Sequence, residues 1–253
     1  MHSKRKIVYF CIFLVSQLYL ASALAQTKVI AFGDSITSGM FRTADNFRIC
    51  THNGASGTTI ECRINGLVNL GGYAPYLANL LTTEDSGAVS VFNWGYSGEL
   101  TFQMVNRINT VMAATPSDYI AIMGGANDAF ANFSSEMVRF NLDQMIASAR
   151  DRGVTPVVAT VTPDWIDSVK QLKVIDINTR IRSLLEEREV TLADQYERLI
   201  GNFTAYHSGD LLHLNDAGNQ QLAIEWDKAI REAETAANTS KANLSPIYQL
   251  LLN

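Results

Sequence analysis

Between residues 28 and 236 the chain alternates short, unbroken apolar runs with longer amphipathic stretches. Lys28–Ile36 (KVIAFGDSI) shows no polar–apolar alternation and predicts a strand covered on both faces. Val89–Asn93, Tyr119–Met123 and Pro156–Val161 predict three more, and Glu189–Ala193 a weaker fifth. Helical periodicity fills the gaps at Leu100–Met112, Ser134–Arg152, Ser168–Arg188 and Asp216–Ala236. In the second of these the apolar positions are Met137, Phe140, Met145 and Ile146. Strands alternating with helices imply right-handed crossovers, a parallel sheet and helices on both of its faces. The expected fold is therefore α/β, a three-layer α/β/α sandwich.

Two segments break this rhythm. Residues 41–69 form a polar, glycine-containing insertion directly after the first strand, which places it over the carboxyl edge of the sheet. The tail, residues 238–253, follows the last helix and ends in the apolar run Ile247–Leu252. The core domain is thus expected to span residues 26–237, with no internal repeat.

The extreme N-terminus follows another logic. A basic stretch (Lys4, Arg5, Lys6) precedes the apolar run Ile7–Leu20, and Ala23-Leu24-Ala25 offers small residues to a signal peptidase. The expectation is cleavage near Ala25 and export to the periplasm or the extracellular space. The apolar run is short for a membrane span of about 20 residues, so no stable membrane anchor is expected. Of the three cysteines, Cys11 leaves with this segment. Cys50 and Cys62 remain, an even pair in an oxidising compartment, and a disulfide is expected between them. Two cysteines with only His52 nearby fall short of a four-ligand metal site. Closing such a loop is worth about 3 kcal/mol through the unfolded state.

Composition adds limits. With 47% hydrophobic and 18% charged residues the chain is globular rather than disordered. Its formal net charge of −5 argues against nucleic acid as a partner, since phosphate contacts need a basic face. Four Asn-x-Ser/Thr triplets begin at Asn132, Asn202, Asn238 and Asn243 and would matter only in a eukaryotic secretory pathway. Oligomeric state is not legible.

Open parallel sheets bind ligands at the carboxyl ends of their strands, so the residues at the strand exits are the candidates for chemistry. The first strand exits into Gly33-Asp34-Ser35, the second into Asn93-Trp94-Gly95-Tyr96-Ser97-Gly98, and the third into Gly124-Gly125-Ala126-Asn127-Asp128. Asp210-Leu211-Leu212-His213 precedes the last helix. Ser35 is a candidate nucleophile, which needs a base within hydrogen-bond reach and a group orienting that base. His213, with Asp210 three positions earlier, fits this pair better than His207 or His52. Donors for a developing oxyanion, each worth about 3–4 kcal/mol, are available from the Ser35 N–H, the Gly95 N–H and the Asn127 amide.

These four blocks resemble the SGNH hydrolase superfamily, the GDSL-type esterases and lipases. The blocks are Gly33-Asp34-Ser35, Asn93-x-Gly95, Gly125-Ala126-Asn127-Asp128 and Asp210-x-x-His213, and they occur in the family's order. The resemblance implies a Ser35–His213–Asp210 triad and an oxyanion hole of Ser35, Gly95 and Asn127. It also implies a five-stranded parallel sheet of flavodoxin-like strand order and no metal or other cofactor. Rival motifs are missing: no Gly-x-Ser-x-Gly, no phosphate-binding Gly-Lys-Ser/Thr after the first strand, no Gly-x-Gly-x-x-Gly and no His-Glu-x-x-His.

The expected activity is hydrolysis of short-to-medium acyl esters through an acyl-enzyme on Ser35, on a small-molecule, lipid or glycan substrate. A deacetylase of O-acetylated glycans and a lysophospholipase are alternatives on the same site. A non-catalytic, secreted glycan-binding module is the alternative of another class. Asp34, Trp94 and Tyr96 are candidate substrate contacts, with Trp165 beyond the fourth strand. Asp34 and Asp128 are expected mainly to brace their loops rather than to act as paired acids. A histidine base must be neutral, so activity is expected to rise with pH through about 6–7.

Overall fold

The computed structural model describes residues 27–39, 72–82 and 89–239 in full, and the backbone course of 41–43, 46–48, 62–64, 67–69 and 240–251. Nine strands are present among them: β1 (Thr27–Gly33), β2 (Phe41–Thr43), β3 (Asn46–Arg48), β4 (Cys62–Ile64), β5 (Leu67–Asn69), β6 (Val89–Gly95), β7 (Tyr119–Met123), β8 (Thr155–Ala159) and β9 (Thr191–Ala193). The helices are α1 (Ser35–Ser38), α2 (Ala74–Leu81), α3 (Thr101–Ala114), α4 (Ala126–Phe130), α5 (Ser135–Asp151), α6 (Ser168–Arg188), α7 (Gln195–Ile200), α8 (Phe203–Tyr206) and α9 (Asp216–Leu251).

The main sheet is five-stranded and wholly parallel, in the order β6-β1-β7-β8-β9. That is the flavodoxin-like order, with the chain turning back once, from β1 to β6. After that point every crossover steps the same way across the sheet. A constant handedness then puts α3, α5 and α6 on one face, where they pack side by side. The return step puts α2 on the other face, against α9. β1 lies between β6 and β7 and holds Val29, Ile30, Ala31 and Phe32 fully buried, as its unbroken apolar run requires. On the α9 side, the rings of Tyr73 and Trp226 meet at 5.8 Å.

Several boundaries differ from expectation. β1 ends at Gly33, three residues early, because Asp34 caps a helical turn by accepting the Ile36 N–H at 3.0 Å. The α5 limits agree with the periodicity, Ser134 capping it through the Met137 N–H, but its buried seam does not. That seam is Val138, Leu142, Met145, Ile146 and Ala149, while Met137 and Phe140 face solvent, Phe140 at 62% exposure. Phe140 lies two residues from both Val138 and Leu142, about 200° around the helix, and so points away from the layer beneath. The last helix runs on to Leu251, through residues assigned from the sequence to a tail. Within 41–69 the backbone forms two antiparallel pairs, β2–β3 and β4–β5. The expected Cys50–Cys62 bond, like the leader at residues 1–25, lies outside the described residues.

Candidate active site

The carboxyl edge of the sheet gathers residues from both ends of the chain. Ser35 opens α1 immediately beyond β1, and His213 stands in the loop before α9, 178 positions away in sequence. The Ser35 hydroxyl and His213 Nε2 are 2.8 Å apart. On the far side of the ring, His213 Nδ1 lies 2.7 Å from Asp210 Oδ2. One tautomer satisfies both contacts: Nδ1–H donates to the carboxylate, and Nε2 accepts from the serine.

The loop carrying this pair is tightly tied. Asp210 Oδ1 accepts from the backbone N–H groups of Leu212 (3.1 Å) and His213 (2.8 Å) and from the Ser208 hydroxyl. Burial alone would raise the Asp210 carboxyl. The hydrogen bonds from the His213 ring and from the two backbone N–H groups outweigh it and hold the group below the usual carboxylate range. Leu211 takes a left-handed conformation (φ 65°), uncommon for a branched side chain, and its carbonyl accepts the Trp165 N–H at 3.0 Å. Asn215 closes the base of the loop by donating to the Ala205 and His207 carbonyls. His207 is occupied within this loop, its Nδ1 accepting the Gly209 N–H. His52 lies outside the described residues.

The three expected oxyanion donors have these surroundings. The Ser35 N–H stands in the first turn of α1, where the helix itself offers no partner. The Gly95 N–H points to Asn93 Oδ1 at 2.9 Å, while Asn93 Nδ2 donates to the Thr37 carbonyl at 2.8 Å. Asn93 thereby links the β6 exit to the turn that bears the nucleophile. Glycine is required at 95 by close packing: a Cβ there would sit 2.1 Å from Ser38 N. Asn127 lies in α4, behind Gly125, whose φ of 123° a side chain would strain. Its Nδ2 donates to the Glu99 carbonyl at 3.0 Å and approaches Asp34 Oδ2 at 3.5 Å.

Two proposed substrate contacts are displaced from that role. Trp94 is only 4% exposed, and its Nε1 donates to Thr115 Oγ1 at 3.1 Å, so it is a core residue on the inward side of β6. Asp34 is 1% exposed and spent on capping α1. Its burial, partly opposed by the Ile36 N–H and reinforced by nearby Asp128 and Glu99, pushes its carboxyl up to about 7. Tyr96, in contrast, is exposed at the edge, as is Trp165, whose ring lies 5.9 Å from that of Phe203. Asp128 is a brace: it accepts from the Thr101 N–H and hydroxyl, and Asn141 donates to the same hydroxyl.

Sequence reasoning missed Glu99 and Arg107. Their side chains form a bidentate pair behind the donors, with Nε–Oε1 at 2.6 Å and Nη2–Oε2 at 2.5 Å. Arg107 is the only charged residue of α3, but no motif or spacing in the sequence tied it to the strand exits. Among the described residues no group of three or more His, Cys, Asp or Glu is placed to hold a metal ion. Nor is any helix among them long and apolar enough to cross a membrane.

A serine, imidazole and carboxylate in series can carry out acyl transfer. Known proteins agree with that chemistry. The profile of the GDSL-like lipase/acylhydrolase family matches residues 31–221. No curated protein sequence matches the chain. Among solved structures, a lipase/acylhydrolase from Enterococcus faecalis superposes with a TM-score of 0.61 at 21% identity, covering 82% of this chain and 96% of that one. An acetylxylan esterase from Geobacillus stearothermophilus gives a TM-score of 0.62 at 19% identity, covering 82% and 95%. A lipolytic protein of the G-D-S-L family from Veillonella parvula gives 0.58 at 21% identity, covering 79% and 95%. At these identities the structures are similar in fold.

Proposed function

The chain belongs to the GDSL-like lipase/acylhydrolase family, and from that premise we propose that it hydrolyses short-to-medium acyl carboxylic esters through an acyl-enzyme on Ser35. The observation that carries this reading is the unbroken series from Ser35 Oγ through the His213 ring to Asp210, at 2.8 and 2.7 Å. His213 Nε2 takes the hydroxyl proton as Ser35 Oγ bonds to the ester carbonyl carbon. Asp210 stabilises the imidazolium through Nδ1–H. The carbonyl oxygen, now an oxyanion, accepts from the Ser35 N–H and the Asn127 amide, with the Gly95 N–H shared between it and Asn93. Collapse breaks the bond to the alcohol oxygen, which leaves with the proton from His213. Water then repeats the two steps on the acyl-enzyme.

A second reading, release of acetate from O-acetylated glycans, is favoured by the exposed Tyr96 and Trp165 rings at the same edge, which can stack on a sugar. The basic-then-apolar N-terminus supports export with cleavage near Ala25, and the Cys50–Cys62 pair supports a disulfide in the exported chain.

The test is hydrolysis of p-nitrophenyl esters from acetate to palmitate, beside an acetylated xylo-oligosaccharide, by the wild type and Ser35→Ala. Turnover of the shorter esters that falls to background in the variant is the expected result. Turnover that survives the substitution refutes the nucleophile. A preference for the glycan over every p-nitrophenyl ester selects the second reading.

A further inference from the structure

One guanidinium touches two of the three segments expected to present donors to the site and reaches the third through Glu99. Arg107 Nη2 donates to the Gly33 carbonyl at 3.1 Å, two residues before Ser35, and to the Trp94 carbonyl at 2.9 Å, immediately before Gly95. Its Nε and Nη2 grip the Glu99 carboxylate. The backbone carbonyl of that same Glu99 accepts the Asn127 side-chain amide. The fork is held flat as well, its Cζ lying 4.2 Å from the centroid of the Phe32 ring. The pair is shielded from solvent, with 21% of the arginine and 5% of the glutamate side chain exposed. A partly buried ion pair is an uncertain contributor to stability. Three segments hydrogen-bonded to one planar group, with a fourth tied to it through Glu99, are better explained as alignment.

Resting on the reading of Ser35 as nucleophile, we propose that Arg107 and Glu99 are positioning residues that set the Ser35, Gly95 and Asn127 donors around one oxygen. Arg107 joins the β1 and β6 exits, so the Ser35 and Gly95 N–H groups keep a common spacing. Through Glu99 it fixes the 96–100 loop, whose carbonyl turns the Asn127 amide. Neither side chain contacts Ser35 or His213. Their effect is therefore expected on the stabilised oxyanion and not on the base. Lysine cannot reproduce it, because a single ammonium lacks the planar fork that spans two carbonyls and a carboxylate.

The experiment measures kcat and KM for p-nitrophenyl acetate in Arg107→Gln, Arg107→Lys and Glu99→Gln, each in the wild-type and Asn127→Ala backgrounds. Arg107→Gln is expected to lower kcat by about 10- to 100-fold with KM changed less than about threefold, and Arg107→Lys to recover part of that. In the Asn127→Ala background the same change is expected to cost less than about fivefold, because a donor it positions is gone. A folded Arg107→Gln protein with kcat within about twofold of wild type, or an equal loss in both backgrounds, overturns the proposal. Should Arg107→Gln not fold, Glu99→Gln keeps the side-chain volume and the carbonyl facing Asn127, and the same criteria apply to it. Wild type and Ser35→Ala run in parallel: loss of the serine-dependent signal counts against the reading of the site, while its persistence with silent Arg107 and Glu99 variants counts against this inference alone. A readout free of turnover accompanies them. The side-chain amide resonances of Asn127 are expected to shift in Arg107→Gln, and unchanged resonances overturn the proposal.

Discussion

Asp34 and Asp210 are both carboxylates at the same edge, yet their surroundings drive them in opposite directions. Asp34 is walled off from water, and burial raises its carboxyl from 3.8 to about 7. The folded protein therefore holds a proton there that the unfolded chain releases. Its contribution is most favourable below about pH 4 and is lost as pH rises towards 7. Asp34→Asn keeps an oxygen to accept the Ile36 N–H and cannot ionise. Its melting temperature is expected to fall less than that of wild type between pH 4 and 7, which paired thermal scans across that window would show. Some slope should persist, since burial also raises Asp128, Glu99 and Asp164. Parallel curves for the two proteins would show that Asp34 ionises normally. Asp210 carries the opposite sign. Its lowered carboxyl stabilises the fold above the ordinary carboxylate range and loses that contribution as pH falls through its depressed value. The residues meeting in the Ser35–His213–Asp210 series were legible because short motifs carry them. Arg107 was not, because what distinguishes it is the set of carbonyls brought to it by distant strands.

At the scale of elements, the chain announces the long periodic segments and conceals the short ones. α3, α5 and α6 lie within two residues of the limits read from periodicity. α4, α7 and α8, of four to six residues, are too brief for a 3.6-residue repeat to register. α2 was missed between the insertion and β6. Within α5 the periodicity identified a helix but mistook part of its seam, because Met137 and Phe140 are as apolar as the residues that face inward. That correction has a measurable consequence. Leu142 is fully buried, so Leu142→Ala is expected to cost about 2–5 kcal/mol in urea unfolding. Phe140→Ala, at a mostly exposed position, should stay within about 0.5 kcal/mol. Equal losses at the two positions would mean that the outer face of α5 is covered by something else in solution.

The whole molecule joins the site to the fold so closely that neither should fail alone. Ser35 sits on a four-residue turn pinned by Asn93 to the β6 exit and seated against Gly95. His213 and Asp210 sit in a loop tied to the β8–α6 connection through Trp165 and to the start of α9 through Asn215. α9 packs in turn on α2, β9, α7 and α8, with Trp226 fully buried against Tyr73. The series is thus tied at Ser35 to the parallel sheet and at His213 to the segment that leads into α9. Loss of esterase activity and loss of far-UV ellipticity in urea are therefore expected to share a midpoint, within about 0.3 M. Trp226→Phe, which trims the buried contact to α2, should lower both midpoints together. Activity that disappears well before ellipticity would point to separate opening of residues 207–215. The left-handed Leu211 and the Gly209 turn would then mark the weakest part of the site, and the ties through Trp165 and Asn215 would be weaker than their geometry implies.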